Sequence, residues 1–425
     1  MQRFELTRHK VEAGLRRRHR SEMRFRIAGM LATAVGILFL GFFFVDLFAK
    51  GASAFLQTFV SLDVELSQDV IAPEGKPDLA YADFDGLVHD ALRADFPEVG
   101  SRSERRDLYR LVSTGASYQL RDMVASNPQL IGTRQTVWVP ASSIVDMFVK
   151  GHIDAKLDPS VRPLSDAQIR WIRHLQDTGK LERRFNKALF LNGDSREPEL
   201  AGIRGAVMGS FYMLLVTVAL AFPIGVAAAI YLEEFAPRSR WSDLIEVNIN
   251  NLAAVPSIVF GLLGLAVFIN WLAIPRSSPL VGGLVLSLLT LPVIIIASRA
   301  AIKAVPPSIR EAALALGASK MQMVFQHVLP LALPGMLTGT IIGMSRALGE
   351  SAPLLMIGMV AFIVDVPQGF TDPATALPVQ IYLWADSPER AFAERTSAGI
   401  IVLLGFLLLM NLAAVIIRKR MERRW

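Results

Sequence analysis

Two ionisable residues, Arg346 and Glu350, lie four positions apart in an apolar stretch of this chain of 425 residues. On a helix that spacing puts both side chains on one side, where they can pair. Charged groups at membrane depth are costly unless they pair or face a water-filled path. One interpretation is therefore a structural salt bridge. The other is an anion path, in which the planar guanidinium of Arg346 binds a passing oxyanion and Glu350 holds that guanidinium in place.

The residues around this pair indicate how it would be held. Ser351 is adjacent in sequence, and we assign it to the same candidate anion path. Gly349 and Pro353 should break the helix here, and transporters tend to place substrate sites at broken helices. Small residues recur every fourth position before the break, which predicts close helix packing in lipid. They are Gly335, Gly339, Gly343 and Ala347.

The composition limits the class of protein. Hydrophobic residues make up 52% of the chain and the mean hydropathy is +0.40, which indicates a polytopic membrane protein with a polar insertion. The chain has no cysteine, which excludes disulfides, thiolate metal sites and thiol redox chemistry. Its six histidines are scattered without ligand spacing, so we predict no metal site.

Six apolar stretches are long enough to cross a bilayer core of about 30 Å. They are Ile27–Val45, 205–232, 252–274, 280–298, 331–356 and 398–417. We therefore expect an all-α polytopic membrane protein with six transmembrane helices. A small extracytoplasmic α+β insertion would separate the first span, assigned to residues 27–48, from a permease core over residues 200–420.

Basic residues flank the spans at both ends of the chain. Residues 1–26 hold nine Lys/Arg against three Glu, and residues 418–425 hold five against one. Contact with nucleic acid would also use basic tails, but the positive-inside rule explains tails that directly adjoin spans. Both termini are thus predicted to be cytoplasmic, in agreement with an even number of spans. Arg204, Arg276 and Arg299 lie near span ends and are interpreted as topology determinants.

Residues 51–198 are polar and contain no span, and they should lie outside the inner membrane. Alternation from Thr58 to Val70 predicts a strand with Val60, Leu62, Val64 and Leu66 on one face. A capping box at Ser165 and Gln168 predicts an amphipathic helix that ends near Asn192-Gly193. No catalytic constellation occurs here, so the segment is interpreted as a folded insertion without chemistry of its own.

The segment between the fourth and fifth spans has the pattern of a docking loop, within residues 303–330. Ser308 and Glu311 form an S-x-x-E capping box that should open a helix after Pro306-Pro307. The small residues Ala312, Ala313 and Ala315 would let another protein approach the backbone. Gly317 can end this helix in the left-handed conformation, and Ser319 can cap a second one.

This loop resembles the EAA loop of ABC-transporter permeases, through Glu311, Ala312, Ala313, Gly317, Leu329 and Pro330. The segments 229–236 (AIYLEEFA) and 346–353 (RALGESAP) are similar to those of the PstA family of phosphate importers. The likeness covers about residues 200–420. It implies the type I importer permease fold, with the first helix of the loop docking in a groove on an ATPase.

The same resemblance implies that this chain is a multi-pass protein of the bacterial inner (cytoplasmic) membrane and that it has three kinds of partner. These are a PstC-like second permease, two copies of a PstB-like ATPase and a PstS-like periplasmic phosphate-binding protein. No G-x-x-x-x-G-K-[ST] loop occurs in the chain, so ATP would be bound and hydrolysed by the partner, and this subunit would be non-catalytic.

Two alternatives remain open at this point. A permease for another oxyanion, sulfate or molybdate, would use the same architecture and the same arginine and glutamate. A membrane sensor with a ligand-binding domain at residues 51–198 would share the first half of the layout. Against the sensor, the chain continues through four more spans and ends in eight polar residues, without an output domain.

Overall fold

A long first helix leads from the basic N-terminal region into the membrane. The computed structural model describes residues 2–73, 78–156, 158 and 162–421. Helix α1 runs over Gln2–Gly51, so the basic residues that precede the apolar run share one helix with it. The apolar part of α1 is not covered by the rest of the described chain, as expected of a helix that faces lipid.

The insertion is an α+β unit built on a three-stranded antiparallel sheet with the strand order β2–β1–β3. Its elements are β1 (Leu56–Glu65), α2 (Gln68–Ile71), α3 (Phe84–Asp95), α4 (Arg102–Tyr109), α5 (Gly115–Ser126), β2 (Arg134–Pro140), α6 (Ser143–Val149), α7 (Asp166–Asp177), β3 (Leu181–Phe185) and α8 (Lys187–Leu191). As predicted, Val60, Leu62, Val64 and Leu66 are fully buried. They form the core of the unit together with apolar residues of the surrounding helices.

Two boundaries in the insertion differ from the sequence prediction. The Ser165–Gln168 capping box is confirmed, but helix α7 ends at Asp177 and does not continue to Asn192. Gly179 takes a positive φ of 70° and turns the chain into β3, whose apolar residues had extended the apparent helix pattern. Strand β1 ends at Glu65 and is followed by the short helix α2, so the strand is shorter than the alternation predicted.

The second half of the chain is helical. Its elements are α9 (Arg204–Ile230), α10 (Arg240–Ala253), α11 (Ser257–Leu263), α12 (Pro279–Lys303), α13 (Pro307–Ala315), α14 (Lys320–Gln322), α15 (Leu329–Gly349), α16 (Ala352–Met356), α17 (Leu377–Ala385) and α18 (Ala391–Met421). Three π-helical segments continue α9, α11 and α14, over Tyr231–Phe235, Gly264–Trp271 and Met323–Val328.

Five helices of the described residues are long and apolar enough to cross a membrane, and the number becomes six if a bent pair of helices is counted as one span. That pair joins Arg240–Ala253 to Ser257–Trp271 at an angle of 102°. The predicted span 252–274 is therefore broken near its start. Pro256 explains the break, because it lacks a backbone N–H and disfavours helical geometry at Val255.

The glycine stripe of α15 packs against α12, as its spacing predicted. A Cβ at Gly339 would lie 2.2 Å from the Cβ of Ala297, and one at Gly335 would lie 2.7 Å from that of Ala301. Real side chains do not approach so closely, so both positions require glycine for this contact. The backbones of the two spans can therefore meet, which fixes the helix that carries Arg346 and Glu350.

Buried ion pairs join the insertion to the beginning of α18. The Lys150 ammonium lies 2.7 Å from the Asp146 carboxylate and 2.9 Å from that of Glu394. Asp146 also accepts hydrogen bonds from the backbone N–H and the hydroxyl of Thr58, at 2.8 and 2.7 Å. These contacts connect β1 and α6 of the insertion to the last span.

Candidate coupling loop and anion path

We call the segment within residues 303–330 the coupling loop. Its first helix begins two residues earlier than a capping box with Ser308 as the N-cap predicted. Helix α13 starts at Pro307, with Pro306 at the N-cap position and no side-chain cap. Ser308 is thus the second helical residue, and the predicted Ser308–Glu311 capping box is wrong. Pro307 at the first helical position explains the start, since its fixed φ suits a helix and its missing N–H has no helical partner to lose. Glu311 is left exposed.

The turn that follows agrees with the sequence. Gly317 has a φ of 86°, and the chain then enters a second helix. Ser319 caps that helix in a complete capping box, donating its N–H to the Gln322 side chain at 2.9 Å and accepting the Gln322 N–H on its hydroxyl at 3.2 Å. The loop is therefore held by local backbone geometry before any partner binds.

The alanines of α13 do not share one environment. Ala313 is buried, with 5% of its surface exposed, whereas Ala312 and Ala315 are exposed. Ala313 packs against the body of the protein, so Ala312 and Ala315 are the alanines that stay open to a partner. Leu316 follows at the end of the helix and is 90% exposed.

A buried apolar cluster packs between the coupling loop and the ends of the neighbouring spans. Its buried members are Ala229, Ile230, Ile302, Val305, Ala313, Met323, Val324, Val328, Ala332 and Met336. They come from the ends of α9 and α12, from α13, from the π-helical segment Met323–Val328 and from the beginning of α15. Leu329 and Pro330 form the first turn of α15. Movement of α13 would consequently reach three spans through one packed core.

Arg310 ties the same helix to two spans by polar contacts. Its guanidinium donates to the Glu234 carboxylate at 2.8 and 3.0 Å. It also donates to the backbone carbonyls of Val305 and Ile302, at 2.7 and 2.9 Å. Carbonyls at the end of a helix have no partner within that helix, so Arg310 caps α12 while it holds the acidic end of α9.

A second ion-pair group lies beside this one. Arg299 contacts Glu233 and, at 2.8 Å, Glu246, while Lys303 lies 3.5 Å from Glu233. Interpreting Arg299 only as a topology determinant missed this connection between α12, α10 and the end of α9. The signal available in the sequence was the adjacent Glu233-Glu234, two carboxylates at the end of an apolar span that need cations nearby.

The candidate anion path consists of neighbouring residues at the end of α15. Arg346 Nε lies 3.5 Å from Glu350 Oε1, and the two side chains are 48% and 21% exposed. Helix α15 ends at Gly349, as predicted, and Ser351 precedes the short helix α16, in which Pro353 is the second residue. The pair is thus formed while half of the arginine surface remains open to a ligand or to another subunit.

Two parts of the chain match protein-family models. Residues 221–425 match the family model described as "Binding-protein-dependent transport system inner membrane component", and residues 12–159 match a domain of unknown function, DUF3333. The probable ABC transporter permease protein YqgI of Bacillus subtilis is 33% identical over 229 residues, covering 50% of this chain and 76% of YqgI. The phosphate transport system permease protein PstA 1 of Mycobacterium tuberculosis H37Rv is 32% identical over 234 residues. The match covers 55% of this chain and 75% of that protein.

The chain belongs to the PstA-like ABC permeases. It is a permease subunit of an ABC importer in the inner membrane, and as such it works with an ATPase and a binding protein. Among solved structures, an inward-facing form of the MetNI methionine ABC transporter has a TM-score of 0.41 and 20% identity, covering 52% of this chain and 96% of that one. In this permease, the match to the transport family model begins within α9 and includes the coupling loop and the Arg346–Glu350 pair.

Proposed function

We propose that this permease carries inorganic phosphate and forms half of the translocation pathway. The proposal rests on the Arg346–Glu350 pair, a charged group held by its neighbour at the end of an apolar span. Relatives named as phosphate transport permeases support the choice of anion. Arg346 would donate to phosphate oxygens, while Glu350 limits how tightly the arginine binds the anion and Ser351 lies beside them.

The position of the pair supports a role at one end of the path. Arg346 lies seventeen residues beyond Leu329, which corresponds to about 25 Å along a helix. If the coupling loop is cytoplasmic, the arginine lies near the extracytoplasmic surface, where an anion would enter. A charge at that depth attracts phosphate before the narrow part of the path is reached.

We further propose that the coupling loop docks on a PstB-like ATPase pair, which binds and hydrolyses ATP. The residues assigned to it are Ser308, Glu311, Ala312, Ala313, Gly317, Leu329 and Pro330. The exposed Leu316 and the contacts of Arg310 support this assignment. A PstC-like permease would complete the path and a PstS-like protein would deliver phosphate, with both termini of this chain in the cytoplasm.

Residues 51–198 are proposed to form one extracytoplasmic domain that contacts the binding protein or the second permease. The unit has its own apolar core and its own sheet, which supports an independent fold. Deletion of residues 60–190 tests this role. Unchanged uptake and complex assembly after the deletion would show that the domain contributes to neither.

The transport proposal is tested by uptake of labelled phosphate at limiting external phosphate, in cells that lack this gene. Cells would carry wild type, Arg346→Ala, Arg346→Lys or Glu350→Gln, and labelled sulfate would be measured in parallel. We expect wild type to restore phosphate uptake alone, and Arg346→Ala to assemble but fail. Arg346→Lys keeps the charge without the planar donors and should transport more slowly.

The outcomes separate the competing substrates. Restoration of sulfate uptake without phosphate uptake would assign the permease to another oxyanion, because Arg346 and Glu350 suit any small tetrahedral anion. If Arg346→Ala transports phosphate like wild type, the pair is a structural salt bridge and the path lies elsewhere. Assembly of each variant is checked by copurification with its partner subunits.

A further inference from the structure

A patch of large apolar side chains lies exposed on the insertion. Leu56, Phe185, Phe190 and Leu191 are 41%, 56%, 37% and 58% exposed. They come from three segments, the start of β1, the end of β3 and helix α8. We call these four residues the apolar patch. Soluble surfaces seldom collect side chains of this size in one place without a partner.

The apolar patch is held rigidly by stacked rings. The ring of Phe190 stacks on that of Phe185 at 5.7 Å and on that of Phe55 at 5.9 Å between centroids. Beneath them Asn186 is fully buried, and its amide donates to the Ala54 carbonyl at 3.0 Å while its backbone N–H donates to Phe55 at 2.8 Å. The exposed rings therefore form a preorganised surface.

Covalent and hydrogen-bonded neighbours place the apolar patch at the membrane boundary. Leu56 follows the end of span α1 by five residues. Helix α8 and the residue after it contact the start of the next span. The N–H of Ile203 donates to the Leu189 carbonyl at 2.9 Å. The N–H of Arg204, the first residue of span α9, donates to the Asn192 carbonyl at 3.1 Å. Helix α8 thus lies directly on the beginning of a span.

The surroundings of the apolar patch indicate which partner covers it. The lipid-facing surface of α1 leads to it, with Phe48 near the end of that helix 51% exposed. Arg183 and Lys187 are exposed at its border, and Arg183 lies two positions before Phe185, on the same face of β3. Aromatic rings concentrate at the membrane–water interface, and basic side chains there attract anionic headgroups.

We propose that the apolar patch inserts into the headgroup region of the leaflet that faces the insertion. Arg183 and Lys187 then contact the phosphates of anionic phospholipids. Lipid contact at the apolar patch thus adds to the contacts that the insertion makes with the spans, such as the Lys150–Glu394 ion pair at α18. This anchoring is independent of the transported anion.

The absence of cysteine makes a spin-label test direct, because each introduced cysteine is the only one in the chain. The full-length permease would be labelled at Phe185→Cys, Leu191→Cys or Lys187→Cys, in nanodiscs that contain phosphatidylglycerol. Leu38→Cys within α1 serves as the lipid control and Tyr81→Cys, which is 89% exposed on the insertion, as the water control. Collisions with oxygen report lipid, and collisions with a water-soluble nickel chelate report water.

We expect labels at positions 185 and 191 to show an oxygen-to-nickel collision ratio above that at 81, shifted towards the value at 38. The label at position 187 replaces an exposed side chain, and its oxygen-to-nickel collision ratio should also exceed the ratio at position 81. The test therefore does not depend on substitution of an aromatic residue. Collision ratios at positions 185, 187 and 191 that equal the ratio at position 81 would overturn the proposal. Low collision rates with both reagents would also overturn it, because protein rather than lipid would then cover the apolar patch.

The lipid composition tests the basic residues separately. In phosphatidylglycerol nanodiscs, Arg183→Gln combined with Lys187→Gln should shift the ratio at position 191 towards the water control. In discs of phosphatidylcholine alone the same double substitution should have a smaller effect, since the headgroups carry no net charge. An equal effect in both lipids would contradict the contact with anionic headgroups.

Discussion

Arg310 of α13 donates two hydrogen bonds to Glu234 at the end of α9, while its remaining donors cap the carbonyls of Ile302 and Val305 at the end of α12. One side chain of the coupling helix thus contacts the ends of two spans. Helix α13 rests on the same spans through the buried Ala313. Movement of α13 would therefore reach the ends of both spans through direct contacts.

Removal of this contact should uncouple the loop from the spans. Arg310→Gln leaves the Glu234 side chain, which is only 8% exposed, without its cation, and loss of a charged hydrogen bond costs about 1.5–3 kcal/mol. We expect the reconstituted complex to hydrolyse ATP with reduced transport per ATP. Arg238→Gln, an exposed arginine near the same end of the protein, is the matched control.

Exchange of the two charges distinguishes a specific contact from a general need for arginine. Arg310→Glu and Glu234→Arg should each impair transport, and the double variant should recover part of it. The same exchange with no recovery would contradict the proposed role of the pair. A double-mutant cycle on thermal stability would report the coupling free energy directly.

Leu316 is expected to contribute to binding of the ATPase and little to the stability of the chain. Its side chain is 90% exposed, and surface substitutions of this kind usually change stability by less than about 0.5 kcal/mol. Leu316→Ser should therefore keep the thermal unfolding temperature but reduce copurification of the ATPase. Leu272→Ser, at an exposed leucine on the opposite end of the core, should leave copurification unchanged.

Substitutions at Gly317 test backbone strain alone, because an added side chain there meets no steric crowding. Its φ is 86°, and a Cβ added there would meet no atom within 4 Å. Gly317→Ala should thus cost about 1–2 kcal/mol through the left-handed conformation alone. Gly317→Asn should cost less, because asparagine tolerates this region better. Thermal unfolding measures the loss of stability in both variants. Equal losses in Gly317→Ala and Gly317→Asn would point to a cause other than backbone strain.

The contact between α15 and α12 can be tested by adding a methyl group on one helix and removing one from the other. Gly339→Ala would place its Cβ 2.2 Å from that of Ala297, and overpacking of this kind costs about 1–3 kcal/mol. Ala297→Gly in the same chain should restore part of the lost stability. Gly349→Ala, where a Cβ meets nothing within 4 Å, is the control. Failure of the second substitution to compensate would contradict this packing.

Glu199 should make the stability of the protein depend on pH. Burial raises the pKa of its carboxyl above the ordinary value of 4.5, although a hydrogen bond with Ser113 opposes the effect. Between 4.5 and the raised pKa the folded chain binds more protons than the unfolded chain, so its contribution to stability falls as pH rises through that window. Glu199→Gln should remove this part of the decline.

The measurement is thermal unfolding of wild type and variant over a pH series that starts below 4.5. Glu65→Gln, an exposed glutamate on β1, is the control and should follow wild type. An unchanged slope in Glu199→Gln would show that the carboxyl ionises freely in the folded protein. The difference between variant and wild type is compared, because other groups also titrate in this range.

The sequence by itself determined the features that depend on local pattern. Apolar runs located the spans, since the thickness of a bilayer fixes their length. Gly317, Ser319 and the Arg346–Glu350 spacing were predicted correctly, because backbone conformation, capping and side-chain pairing at four positions depend on near neighbours in the chain. The strand face of Val60 and Leu62 followed from alternation for the same reason.

Only the tertiary structure decided the relationships between distant segments. Arg310 and Glu234 are separated by 76 positions, and no local pattern connects them. Burial of Ala313 depends on the helices beneath the loop, so the EAA pattern could not show which alanine faces inward. The start of α13 at Pro307 and the end of α7 at Asp177 differed from prediction because proline geometry and a glycine turn overrode a plausible capping or apolar pattern.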